Sequence, residues 1–349
     1  PDFPSMLPPI AKLLSTPRQG ARVAWYMGHS LASRPKAPAR PANGEAPRSR
    51  APGPTRERLY GDMAGLFASD LANAEAGHYP LPQDHDGPLL GRIATSRAFF
   101  ADLPQAHERM AEGRGDDIRG NGSNGLPDYF LQNFHYQTGG YLTEESARLY
   151  DMQVEVLFSG TANAMRRHCL VPLATYLKGR DQRTVRLLDV ACGTGRFLRS
   201  ALEASPRLDV RGMDLSEAYV AEARRHLADF PRAKLHVANA EALPFEDESL
   251  DVVSAIYLFH ELPPEVRGTV TAEFARVLKP GGRLIFMDSL QIGDTDGYDG
   301  LLEAFPERFH EPYYASYLRE DLPALFRDAG LKVMEERPVF LSKLIVAEK

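Results

Sequence analysis

Cysteine is nearly absent: the 349 residues hold two, Cys169 and Cys192. Two thiols without metal-ligand spacing build neither a disulfide framework nor a zinc site. Reduced thiols, a cytoplasmic location and no bound metal are therefore expected. Long apolar runs are missing as well, and a bilayer span needs about 18 or more such residues. No signal-peptide pattern is visible, although the chain opens on Pro1 rather than Met and leaves room for an upstream segment. A net positive charge is found only at the start. Residues 1–56 carry nine Lys/Arg against Asp2 and Glu45, a net of +7, which leaves −13 on the remainder of a chain whose total is −6. An acidic body argues against a nucleic-acid groove, which needs clustered cations. The basic arm is read as solvated, contact with an anionic membrane surface being the less favoured alternative.

What is present divides the chain. Residues 1–33 form an N-terminal arm with two short amphipathic helices, around Ile10–Leu14 and Val23–Met27, the second holding the single tryptophan, Trp25; they are expected to pack onto the body rather than skim a membrane. Residues 34–56 contain six prolines and hardly any apolar side chain, the composition of a dispensable linker. Residues 57–142 make a helical accessory or lid region. Leu59, Met63, Leu66 and Phe67 keep helical spacing behind a candidate N-cap, Thr55, and helical texture continues to about Met110. A glycine-rich break and an aromatic stretch, Tyr129 to Tyr141, follow. A long helix is expected over about 144–168, opening a domain over 143–349. From residue 180 strand-like runs (185–190, 210–213, 235–238, 252–259, 283–288) alternate with helical ones, the pattern of βαβ units on a parallel sheet. The runs 332–340 and 341–347 are close enough for an antiparallel hairpin.

Leu187-Leu188-Asp189-Val190-Ala191-Cys192-Gly193-Thr194-Gly195-Arg196 combines a strand, a glycine turn and a helix start. Such a turn lets a ligand approach bare backbone N–H groups. The dinucleotide pattern G-x-G-x-x-G fails here, because position 191 is Ala and position 196 is Arg. Asp189 would repel a pyrophosphate but suits a ligand carrying an ammonium or sulfonium. At this point the sequence resembles the class I S-adenosylmethionine-dependent methyltransferases, in the broad group of quinone, sterol and natural-product enzymes. Gly212-Met213-Asp214-Leu215-Ser216, Asn239-Ala240-Glu241-Ala242-Leu243-Pro244-Phe245, Leu250-Asp251-Val252-Val253 and Val277-Leu278-Lys279-Pro280-Gly281-Gly282 extend the resemblance in order.

The resemblance implies a Rossmann-like, doubly wound α/β sheet of seven strands in the order 3-2-1-4-5-7-6, the last antiparallel. It implies S-adenosyl-L-methionine as cofactor, leaving as S-adenosyl-L-homocysteine. Asp189, Ala191, Gly193, Thr194, Gly195, Asp214, Leu215, Asn239, Ala240 and Tyr257 are the expected cofactor residues, Asp214 on the ribose and Asn239 accepting from the adenine amino group. Strands 1 and 4 meet at the switch point, where ligands bind in open α/β sheets. His260, ending the fourth run, is expected to be general base or acceptor-positioning residue, with a helix-capping role as the bland alternative. Glu261, adjacent on extended chain, is expected to point away and to open the helix announced by Pro263 and Pro264. His310 is expected in the same pocket. Phe134, His135, Tyr136 and Tyr141 upstream, and Glu311, Tyr313, Tyr314 and Tyr317 downstream, are expected to enclose a planar or greasy acceptor, unless these loops pack on their own side chains. The expected activity is methylation of carbon or oxygen on a small, aromatic or hydrophobic organic molecule. A non-catalytic cofactor-binding protein on the same fold is the alternative. The sequence does not indicate an oligomeric state.

Overall fold

The structure, a computed structural model, describes residues 9–34, 51–118 and 125–349. α1 (Pro9–Ala32) is one helix with Pro17 inside it, not the two short helices expected. Tyr26 packs with Phe99, Leu149, Met152 and Val156, and the buried Arg22 pairs with Asp86 and Glu155, each at 2.8 Å. The helix packs onto the body, as expected of its amphipathic stretches, and only the solvated reading of the basic charge is overridden, where Arg22 is buried. Among the described residues no helix is long and apolar enough to cross a membrane. Most of the expected linker, residues 35–50, lies outside the described residues. Its end does not hang free: the Ala51 carbonyl oxygen would be 2.0 Å from a Cβ on Gly300.

α2 (Arg56–Glu75) begins where Thr55 Oγ1 accepts from Arg58 N at 3.2 Å. It does not run on to α3 (Leu89–Glu112). Gly77 and Gly87 adopt φ of 81° and 80°, and Pro80, Pro82 and Pro88 offer no backbone donor, so the helix cannot propagate. The helix expected over 144–168 is also two, α4 (Glu144–Leu157) and α5 (Ala162–Arg167). Ser159 and Gly160 take φ of 52° and 84° between them, and the Glu155 carboxylate accepts from Ala162 N and Asn163 N at the start of α5. α6 (Leu170–Leu177) leads into the sheet.

The sheet strands are β1 (Arg186–Val190), β2 (Asp209–Asp214), β3 (Lys234–Val237), β4 (Leu250–Ile256), β5 (Leu278–Ser289), β6 (Lys332–Val339) and β7 (Ser342–Glu348), in the order 3-2-1-4-5-7-6. β1 to β5 pair in parallel, whereas β7 is antiparallel to β5 and β6, as expected. Both faces of the central strands are buried, with alternate side chains going to opposite cores, while the edge strands β3 and β6 are largely exposed. Leu187, Val252 and Ile285 face one side, with Leu170 and Phe197. Leu188, Val253 and Phe286 face the other, with Phe274 and Phe326. The covering helices are α7 (Arg196–Ala204), α8 (Glu217–His226), α9 (Pro264–Val277), α10 (Asp299–Phe309), α11 (Tyr314–Tyr317) and α12 (Leu322–Asp328). The fourth strand stops at Ile256, three residues short of the expected end, because Tyr257 turns to φ 61°.

Candidate functional site

The carboxyl ends of β1, β2 and β4 converge on one cavity. Its lining includes Ala191, Gly193, Asp214, Leu215, Asn239, Ala240, Tyr257 and Glu261. The loop after β1 curls tightly, with Ala191, Gly193 and Gly195 at φ of 56°, 53° and 78°. Gly195 does not line this cavity; it admits α8, since a Cβ there would meet Ala223 and Leu227 at 3.3 and 3.2 Å. α4 clamps the loop from outside: Asp151 accepts from Thr194 Oγ1 at 2.7 Å and from Arg196 Nε at 2.6 Å. Asp214, at the end of β2, accepts from Gly193 N and Ser216 N, both at 2.9 Å.

Asn239 lines the cavity, but its amide oxygen already accepts from Glu241 N at 2.9 Å. The oxygen keeps a second lone pair for a ligand donor. Glu241 in turn accepts from Tyr129 at 2.6 Å, tying the upstream aromatic segment to this end. Phe134 and Tyr141 stack with centroids 5.4 Å apart and both line the cavity, with Tyr150 and Tyr219 completing the wall.

A second cavity shares Tyr150, Ala191, Gly193, Ile256 and Tyr257 with the first and adds Asp189, Thr194 and Arg166. Asp189 is buried within β1, and Ser254 Oγ donates to it at 2.7 Å. Burial pushes its carboxyl up to about 7, against the pull of the Ser254 bond. Tyr257 stacks on Phe158 and hydrogen-bonds with Ser342 at 2.7 Å.

Beside Glu261, where the wall meets the turn after β4, lies a polar cluster that the sequence only half revealed. His260 sits on a short turn, Phe259–Glu261, rather than on β4. Its Nδ1 lies 2.6 Å from Oδ1 of Asp288, which is fully buried near the end of β5. Phe259 N and Ser289 N also donate to that carboxylate, each at 2.7 Å, which holds it in place. Burial disfavours the imidazolium, yet Asp288, helped by Glu261 and Glu311, outweighs it and lifts His260 to about 9.

Glu261 corrects the expectation that it points away. The turn brings its Oε1 to 3.8 Å from His260 Nε2, and Tyr141 donates to it at 2.5 Å. Glu311 is fully buried, and among the described residues neither carboxyl oxygen has a hydrogen-bond partner, although His135 Nε2 lies 3.1 Å away. Burial raises Glu311 well above the carboxylate range and, with His260 and His310, depresses His135 to about 3.

The remaining expected residues scatter. His310 does not line the cofactor cavity. Its Nε2 contacts Gln132 at 3.0 Å, and its ring lies over Gly115, where a Cβ would come within 1.9 Å. Tyr136 packs beside His310, with centroids 5.5 Å apart. Tyr314 and Tyr317 are buried at 6.0 and 6.3 Å from the His260 ring, with hydroxyls bonded to Ser289. Tyr313 packs near the Phe134–Tyr141 stack, and its carbonyl accepts from the buried Arg267.

Comparison with known proteins bears on this geometry. Residues 187–282 match the family described as "Methyltransferase domain". The chain is 30% identical over 177 residues to the demethylmenaquinone methyltransferase of Bacillus pumilus, covering 45% of this chain and 75% of that one. It is 33% identical over 165 residues to a ubiquinone/menaquinone biosynthesis C-methyltransferase of Methylobacterium nodulans, with 46% and 63% covered. It is 37% identical over 153 residues to the 27-O-demethylrifamycin SV methyltransferase of Amycolatopsis mediterranei, with 42% and 54% covered. The chain belongs to the class I S-adenosylmethionine-dependent methyltransferases. It nevertheless spans under two thirds of the length of the Methylobacterium and Amycolatopsis relatives.

The donor set of this methyltransferase fits the family's cofactor. Asp214 keeps carboxylate lone pairs beyond its two backbone bonds, suited to a vicinal diol. Asp189 and Arg166, opposite charges lining one cavity, suit the ends of an amino-acid zwitterion. Arg166 was missed because its stretch resembles uniform helix. Asp288 had a signal: β5 neighbours β4, so an acid closing one strand falls beside residues closing the other. Asp214→Ala should weaken S-adenosylhomocysteine binding by about 1–3 kcal/mol, the cost of removing a buried partner. Isothermal calorimetry checks this, and unchanged affinity would remove Asp214 from the site.

Proposed function

We propose that this protein transfers the methyl group of S-adenosylmethionine to oxygen or carbon of a small aromatic or hydrophobic acceptor, with His260 as general base. The carrying observation is the buried His260–Asp288 pair, whose free Nε2 faces Glu261 on the wall of the cofactor cavity. When bound, the cofactor supplies an electrophilic methyl group. Asp214 and the glycine loop hold it, and the tyrosine wall excludes water. His260 Nε2 takes the proton that the acceptor's hydroxyl or enol loses as its new bond to methyl forms. Asp288 fixes the ring and stabilises the imidazolium. Aromatic side chains around the pair, Tyr314 and Phe305 among them, suit a planar acceptor. The named relatives, acting in quinone biosynthesis or on a rifamycin, support both the acceptor class and the choice of carbon or oxygen. A non-catalytic binding protein has no use for a dyad placed at the reacting end.

The test is S-adenosylhomocysteine production with a panel of hydroquinones and phenols, comparing wild type with His260→Ala. No turnover on any of them would overturn the acceptor class. The pH dependence is specific. His260 must be neutral to accept a proton, and its pKa lies near 9. kcat/KM should therefore rise about tenfold per pH unit up to that value and level off above it. A profile flat from pH 6 to 9 would remove His260 as the base.

A further inference from the structure

Among the described residues two carboxylates line the cavity, Asp214 at the end of β2 and Glu261 on the turn after β4. Glu261 is largely buried, its side chain 16% exposed, and Oε1 takes the Tyr141 hydroxyl. The charged and titratable groups around it are His260 and Asp288 from the ends of β4 and β5, Asp214 from β2, Tyr141 and Tyr150 from the covering wall, and Glu311 from the segment after α10. Of these only His260 can carry positive charge, and its Nε2 stands 3.8 Å away, too far for a hydrogen bond. His260, raised to about 9, is mostly protonated at pH 8 and offsets part of this charge, but without a hydrogen bond it leaves the buried carboxylate only partly compensated, and a second cation in the cavity would be favoured.

We propose that Glu261 is a charge-reading residue of the cofactor site: it favours a ligand with a cationic centre at the reacting position over the neutral product. The inference rests on the methyltransferase reading and deepens it. The methyl donor carries a sulfonium, whereas the product that remains after transfer is an uncharged thioether of nearly the same shape. Hydrogen bonds to the ribose, the adenine and the amino-acid end are common to both, so they cannot tell donor from product. A fixed negative charge can. It adds attraction to the donor alone and loses it when the methyl leaves, which favours product release.

Aromatic faces in the same cavity, Tyr141, Tyr150 and Tyr257, also attract cations. The experiment must therefore separate the carboxylate from the rings. Glu261→Gln keeps the shape and the acceptor for Tyr141 but removes the charge. Calorimetry at pH 8 would measure three ligands on wild type and variant: S-adenosylmethionine, S-adenosylhomocysteine, and sinefungin, in which a carbon replaces the sulfur and its amine places a cation where the transferred methyl would be. Burial pushes Glu261 up to about 7, so at pH 8 the wild-type carboxylate is mostly ionised.

The expected result is a loss of about tenfold or more for S-adenosylmethionine and sinefungin, with S-adenosylhomocysteine unchanged within about twofold. Equal losses for all three would make Glu261 a merely structural residue. No loss for any would assign the preference to the tyrosines. Either outcome overturns the proposal while leaving the methyltransferase reading intact. Failure of wild type to bind any of the three would instead overturn the cofactor reading and this inference with it.

Discussion

His260→Ala is expected to lower kcat by about 10²–10⁴ while leaving the affinity for S-adenosylhomocysteine unchanged. The reasoning is positional. Nδ1 is committed to Asp288 at 2.6 Å, so the ring presents Nε2 to the Glu261 side. Other imidazoles in the neighbourhood do not substitute. His135 is depressed to about 3 and is too weak a base, and His310 is engaged with Gln132. Asp288→Asn should share much of the loss, because an amide neither lifts the imidazole toward 9 nor holds the same tautomer. Single-turnover assays on both variants, with calorimetry to confirm intact cofactor binding, check this. A His260→Ala enzyme that turns over normally would leave proximity and desolvation as the whole of catalysis.

Arg167→Met is expected to lower the free energy of unfolding by about 3–5 kcal/mol, the cost of breaking a buried ion pair from one side. Arg167 is 5% exposed and donates to both oxygens of Asp70, at 2.9 Å from Nε and 2.6 Å from Nη2, while Nη1 reaches Asp84 at 2.6 Å. Asp70 also holds the Tyr79 hydroxyl at 2.8 Å, and Asp84 holds Gln19 of α1 at 2.5 Å. Methionine fills much of the volume but leaves two buried carboxylates with too few partners. Because Asp70 lies on α2 and Asp84 precedes α3, the loss should loosen the N-terminal helices from the sheet domain. Arg183→Met removes an exposed ion pair with Asp181 and should hardly shift the curve. Urea denaturation of the two variants decides it, and similar midpoints would show that burial adds nothing to the Arg167 cluster.

The candidate site was partly legible before any coordinates. Ala191, Gly193, Asp214, Leu215, Asn239, Ala240 and Tyr257 stand in two loops and two strand ends with characteristic spacing, and they share one cavity. Tyr141 and Phe134 were selected as aromatics in a polar stretch, and they join the same cavity. Glu261 was misplaced because alternation holds only on an extended strand, and the strand ends at Ile256. His310 was overvalued because its sequence repeats the His-Glu pair. The repeat carries no geometry, and the ring packs against Gly115 and Gln132.

The sequence by itself determined the alternation of strands and helices and the loops that line the cavity, while the sheet order came from the family resemblance. Alternating apolar residues, glycine turns and strand-closing acids are local signals whose physics acts within a few neighbouring residues. Only the tertiary structure decided which groups meet. Asp288 reaches His260 across 28 positions, Glu311 approaches His135, and Tyr141 reaches Glu261 across 120 positions. The break between α2 and α3 was marked by Gly77, Pro80, Pro82, Gly87 and Pro88, whereas at Ser159 and Gly160 the reason for the turn to positive φ, the close approach of α1, is visible only in the structure. Such pairings depend on the relative placement of whole elements, which packing of both sheet faces sets and no local pattern encodes.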